Sequence, residues 1–198
     1  MRGRTQAERR AATRKSLIDA AGELLVEQGW AQVTSVAVCA RAGLTRGAFV
    51  HHFDGLPDLF AAVLNDRYDR IESAAESAGD PTSIAGIVDG TWRVMRQPWF
   101  KVVLEAWLAG GNDPELGRTL APVVTTFAKL FGPDRSPDVL RDDDARAFFL
   151  AARESLLGLA WGRAINGGEP LGHEDVVLDH LIDTARTHDA RLGHSEGT

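Results

Sequence analysis

The sequence predicts an all-α chain of about nine helices, on three observations. Sustained alternation of apolar and polar positions is absent and β-branched residues are scattered, so strand signals nearly vanish. Apolar residues recur instead at helical spacing. The apolar stretches are punctuated by cap-and-proline starts and glycine stops.

From about Ala7 to Gln28, Leu17, Ala21, Leu24 and Leu25 fall on one helical face, and Gly29 follows as a stop. Two short helices come next, Ser35 to Ala42 with Thr34 as N-cap and Arg46 to His52 with Thr45 as N-cap. Pro57 suits the first turn of a longer helix, where its missing N–H costs nothing. That helix carries Phe60, Val63, Leu64, Tyr68 and Ile71 on one face. Asp80-Pro81 opens a helix to about Arg96, and a segment from Trp99 to Ala109 ends at Gly110-Gly111. Asp113-Pro114 opens another to about Leu130, and residues 132–141 read as a loop. The last two helices cover roughly 143–166 and 173–191, separated by Gly167-Gly168 and Pro170.

With 198 residues, 44% of them hydrophobic and 25% charged, the chain is globular rather than disordered or fibrous. No stretch approaches the roughly 18–20 apolar residues of a membrane span. The charged start, Met1 to Lys15, is unlike a secretory signal, and the single Cys39 fits a reducing compartment. The expected location is the cytoplasm, without membrane contact.

Net charge is -6, but it is uneven. Residues 1–53 carry eight basic and four acidic side chains, whereas the remaining 145 carry fourteen and twenty-four. A basic nucleic-acid-binding end on an acidic body has this asymmetry. A basic end that merely solubilises would share it.

The informative stretch is Thr34 to Phe53, TSVAVCARAGLTRGAFVHHF. Two short helices joined by a glycine-containing turn form the pattern of a helix-turn-helix. Gly43 can take the positive φ of such a turn, and small Ala42 lets the helices approach. Val38, Leu44, Phe49 and Phe53 are the apolar plugs that hold the unit against the first helix. No carboxylate lies between Glu27 and Asp54, a gap of 26 residues in a chain with 28 acids. A helix entering a major groove needs a first turn free of bulk and acid, with donors for base edges and phosphates.

Gly29, Thr34, Ala42-Gly43-Leu44, Thr45-Arg46-Gly47-Ala48-Phe49 and His52-Phe53 together resemble the N-terminal domain of the TetR family of bacterial transcriptional regulators. The resemblance covers about residues 8–70 and is architectural beyond them. It implies a DNA-binding domain over 1–56, with a basic arm and three helices. An effector-binding and dimerisation bundle follows over 57–198. It further implies a homodimeric regulator, most often a repressor, released from its double-stranded operator by a small molecule. Carried over by position, Thr34 and Ser35 contact phosphate and Arg46 reads base edges, guanine through its bidentate fork. Gly47 and Ala48 lie near the groove floor, and His51 and His52 touch bases or backbone. Thr45 and Val50 belong to the same surface. The arm, with Arg2, Arg4, Arg9 and Arg10, adds phosphate or minor-groove contacts. Two positions depart from the family: Val50 stands where a tyrosine is frequent, and Leu56 where a lysine is frequent. Both usual residues hold phosphates, so weaker binding, or more reliance on the arm, is expected. A helical scaffold or ligand-binding module that no longer meets DNA is the alternative these departures leave open.

Four of the five tryptophans lie between 92 and 161. Most large apolar residues there are expected in the core. Trp92, Met95, Trp99, Phe100, Val103, Trp107, Phe127 and Trp161 are also candidates to line an apolar effector pocket. A small, hydrophobic, planar effector suits them. In 143–166, Phe149, Ala152, Leu156 and Ala160 form one stripe, and Leu150, Leu157, Trp161 and Ala164 a second. A helix apolar on two sides buries one inward and one against a partner. With Val177, Leu178, Leu181 and Ala185 of the final helix, this predicts a homodimer through the last two helices.

Catalysis finds no support: no phosphate-cradling glycine loop, HExxH or CxxC is present, and the serines lack a nucleophile motif. No metal site or cofactor is expected. His173, Asp175, Asp179, His180 and Asp183 read as a solvated acidic helix, and Cys39 as a small apolar residue.

Overall fold

The computed structural model describes residues 5–75, 80, 82–133 and 138–195. Among them are nine α-helices and one short 3-10 turn, with no strand, so the all-α expectation holds. The chain divides into two compact units, residues 1–69 with 102–124 and residues 70–101 with 125–198.

In the first unit, α1 (Gln6–Gln28) opens on a capping box. Thr5 Oγ1 accepts the Glu8 N–H at 3.2 Å, and Glu8 Oε2 accepts the Thr5 N–H at 2.7 Å. Gly29, at φ 77, ends the helix, and a 3-10 turn (Trp30–Gln32) leads into α2 (Ser35–Ala42). α3 (Arg46–His52) and α4 (Leu56–Ala75) follow. Leu17, Ala21 and Leu25 of α1 are fully buried. Val38 of α2, Phe49 of α3, Phe53, and Leu59, Phe60, Val63 and Leu64 of α4 are buried too. Each such large side chain contributes roughly 1.5–3 kcal/mol by leaving water. The expected plugs therefore sit in the core, with Leu44 half-buried. Of the expected α4 face, the side chain of Ile71 lies outside the described residues.

α6 (Phe100–Asn112) and α7 (Pro114–Leu130) give their 102–124 portion to this unit. α6 does not end at Gly110-Gly111 as expected but runs through both. The reason is packing. A Cβ on Gly117 would stand 2.6 Å from the Gly110 carbonyl oxygen, and one on Gly110 would stand 3.4 Å from Gly117 Cα. These glycines let two helices approach; neither has a positive φ.

The second unit is built on α5 (Ile84–Met95), α8 (Asp143–Ile165) and α9 (Glu174–Ser195), each packed on the other two. Its core holds Ile84, Val88 and Trp92 of α5, Phe149, Ala152 and Leu156 of α8, and Ala185 of α9. α5 starts later than Asp80-Pro81 suggests. Ser83 is its N-cap, with Oγ accepting the Gly86 N–H at 3.1 Å, while Asp80 accepts the Thr82 N–H in a turn upstream. Asp189 of α9 completes the cap by accepting the N–H groups of Ile84 at 2.7 Å and Ala85 at 3.1 Å. Arg163 and buried Glu174 pair at 2.7 Å, and Glu174 also accepts the Leu171 N–H at 2.8 Å, pinning the turn into α9. Burial pushes the Glu174 carboxyl up, but its bonds to Arg163 and the Leu171 N–H outweigh this and hold it below the ordinary value.

Candidate nucleic-acid interface

Two threonines and one glycine shape the α2–α3 unit. Thr34 Oγ1 accepts the Ala37 N–H at 3.2 Å, and Thr45 Oγ1 accepts the Ala48 N–H at 3.3 Å. Both hydroxyls thus act as N-caps, and each retains its proton to donate outward. Gly43 adopts the left-handed conformation, φ 65 and ψ 30, and its N–H donates to Ala40 O. The Leu44 N–H donates to Cys39 O at 2.9 Å, which closes the turn. Cys39 is buried, and its Sγ lies 3.7 Å from Thr45 O.

Phe49 points α3 into the core, and its ring lies 6.0 Å from that of Phe53. The opposite face is open. Arg46, Gly47 and His51 are exposed, Val50 is 63% exposed, and Ala48 and His52 are half-buried. Thr34 is exposed and Ser35 half-buried at the start of α2, where Val36 is 66% exposed. The helical surface so formed bears no carboxylate of its own.

The basic charge is less evenly available than its count suggests. Arg41 forks onto Glu27 at 2.9 and 2.7 Å and reaches Glu23 at 3.2 Å, so α2 spends this cation on α1. The Arg41 hydrogen bond accordingly depresses the Glu27 carboxyl. Lys15 pairs with Asp19 and with Asp66 of α4. Arg14 places its guanidinium 4.9 Å from the centroid of Phe53. The His51 and His52 rings are 5.4 Å apart. Burial depresses the pKa of His52, and the charges of His51, Arg10 and Arg14 depress it further. Cations of α1 therefore border the C-terminal end of α3. Sequence reasoning passed over Arg14; its spacing of four from Arg10, on one helical face, was the available signal.

Arg2 and Arg4 lie outside the described residues, whereas Arg9 and Arg10 belong to the first turns of α1 rather than to an arm. Leu56 is the first residue of α4 and half-buried. The pocket candidates are divided between the units. Trp92, Met95 and Phe100 are buried in the second, with Trp99 and Trp161 half-buried there. Val103, buried, and Trp107, half-buried, belong to the first. Trp99 falls one residue before α6, and its ring lies 6.0 Å from that of Phe100. The side chain of Phe127 lies outside the described residues. A groove of about 440 Å³ between α1 and α4 is lined by Ala11, Arg14, Lys15, Ile18, Ala62 and Asp66 among others, none of them a pocket candidate.

The family model for bacterial regulatory proteins of the tetR family matches residues 17–63. The HTH-type transcriptional regulator SrpR of Pseudomonas putida is 42% identical over 60 residues, covering 30% of this chain and 28% of that protein. A transcriptional regulator from Rhodococcus sp. Rha1 shares the fold at TM-score 0.65 and 19% identity, over 87% of this chain and 95% of its own. The multidrug binding protein EbrR, complexed with imidazole, shares it at TM-score 0.61 and 22% identity, over 89% of each chain.

Proposed function

From the chain's membership of the tetR family of bacterial regulatory proteins, we propose that it is a homodimeric repressor that a small hydrophobic molecule releases from its operator. The observation that carries the DNA-binding half is the open face of α3. Arg46, Gly47 and His51 are exposed on a helix anchored by buried Phe49 and joined to α2 by the left-handed Gly43. Arg46 opens that helix, where its fork can meet guanine O6 and N7, and the N-cap hydroxyls of Thr34 and Thr45 can donate to phosphates. The chain is read as a binding protein, not an enzyme.

For the dimer, the support lies in α8. Phe149, Ala152, Leu156 and Ala160 are buried, while Leu150, Leu157, Trp161 and Ala164 stay half-exposed along the other side. Ile165 at the end of α8 is 83% exposed, but of the expected α9 stripe only Val177 and Leu178 stay half-exposed, because Leu181 and Ala185 are buried within the second unit. Two such faces meeting about a two-fold axis would set the recognition helices for two half-sites, roughly 34–36 Å apart.

For the effector, the half-buried Trp99 and Trp161 supply aromatic surface in the second unit, which also buries Trp92, Met95 and Phe100. The Arg163 guanidinium, 5.6 Å from the Trp92 ring centroid, adds a polar group there. The fold neighbour EbrR, a multidrug binding protein that holds imidazole, sets the analogy. Ligand and operator would then favour different conformers, and each would lower the affinity of the other equally.

Selection of duplexes from a randomised library with the full-length protein tests the reading. An inverted-repeat consensus bound by two subunits, and released by an apolar ligand that itself binds less tightly when operator is present, is the expected result. Absence of any enriched duplex contradicts it.

A further inference from the structure

Resting on the DNA-binding reading above, we propose that Val50 is a specificity residue that reads the C5-methyl group of a thymine within about two base pairs of the base contacted by Arg46. Val50 is 63% exposed, although the ring of its neighbour Phe49 is buried. Its side chain can neither donate nor accept, so it makes no phosphate clamp. The one apolar group that the major groove offers is the thymine methyl.

Gly47 supplies a second, independent reason. A Cβ there would meet nothing nearer than Thr45 Oγ1, at 3.7 Å, and its φ is not positive. Neither packing nor backbone conformation inside the protein requires glycine at this position. The missing side chain instead lowers the surface between Arg46 and His51, so that the backbone of α3 can approach base edges and bring a side chain as short as valine into contact. Val50 follows Arg46 by four residues, on the same side of the helix and about 6 Å further along its axis. Base pairs rise about 3.4 Å each, which sets the spacing of two or fewer.

The test uses the full-length protein and the duplex selected from a random library. Each thymine is replaced in turn by uracil, which removes only the methyl group. For the native protein, one thymine per half-site should lose about fourfold in affinity on replacement, the value for one buried methyl-sized group. Val50→Ala should bind the thymine and uracil duplexes equally, and Val50→Ile should keep the discrimination. Arg46→Ala should relax selectivity at a base no more than about two pairs away. Discrimination that persists in Val50→Ala, or a responsive thymine farther from the Arg46 base, overturns the proposal while leaving the DNA-binding reading intact. If no duplex is enriched at all, that reading falls and takes the proposal with it.

Discussion

Glu105 of α6 accepts the backbone N–H of Trp30 through Oε2 at 2.6 Å. The same carboxylate lies against Gly29, where a Cβ would stand 3.1 Å from Oε1, and Gly29 is the φ 77 residue at which α1 turns toward α2. The Trp30 ring packs at 4.3 Å from that of Phe60. One turn thus ties α1, α4 and α6 together within the first unit. Glu105→Ala should cost about 1–3 kcal/mol, since the part-buried N–H loses its acceptor. Glu105→Gln keeps an acceptor and should retain most of that stability. Urea denaturation of the three proteins checks the order, and equal midpoints for Ala and native would contradict it.

Gly47→Ala should separate stability from binding. Alanine fits the open space beside Thr45 Oγ1 and is a better helix former, so the melting temperature should hold or rise, by up to about 1 kcal/mol in stability. Affinity for the selected duplex should fall, because the added methyl group holds the helix off the bases. Calorimetry and a binding titration on one preparation decide this; a parallel loss of both would mean that Gly47 serves the fold.

The helix pair α6–α7 offers a contrast between two glycines. Gly117→Ala places its Cβ 2.6 Å from the Gly110 carbonyl oxygen, and this overpacking should destabilise by about 1–3 kcal/mol. Gly111→Ala meets nothing within 4 Å and should be neutral or stabilising by up to about 1 kcal/mol. Thermal melts of both variants suffice.

DNA binding should tighten as pH falls from about 7.5 to about 6. Burial, together with the charges of His51, Arg10 and Arg14, keeps His52 below the ordinary histidine value, so the free protein holds it neutral over most of that range. Phosphates nearby favour the imidazolium, and binding therefore takes up protons. In the free protein the sign is opposite. The unfolded chain binds the proton more readily, so the stability contribution is full above about pH 6.5 and is lost as pH falls toward the folded pKa. His52→Gln should flatten both dependences, and an unchanged slope in the binding titration would remove His52 from the interface.

What could be read from the sequence was what is local. Thr34, Gly43 and Thr45 mark the helix-turn-helix because caps and a left-handed turn act within a few residues. The inward α8 stripe was legible for the same reason, Phe149, Ala152, Leu156 and Ala160 being buried as their spacing requires. Asp189 capping α5 across 105 residues left no local trace. Gly110-Gly111 looked like a stop because a glycine that permits close packing and one that ends a helix are the same letter. Arg41 is one of the eight basic residues of 1–53, and only the fold sets Glu23 and Glu27 of α1 beside it. The pocket candidates were least legible, since which of them share a unit depends on distant helices: Trp92, Met95 and Phe100 fall in the second unit, and Val103 and Trp107 in the first.

The most direct test of the account is fluorescence anisotropy of the full-length protein on duplex DNA from upstream of its own gene, scanned from about 50 to 200 mM salt with excess unrelated DNA. The account predicts saturable binding at two subunits per site. Arg46→Ala should lose about 1–3 kcal/mol and relax selectivity at one base position. Binding that unrelated DNA competes away, with Arg46→Ala indistinguishable from the native protein, would contradict it.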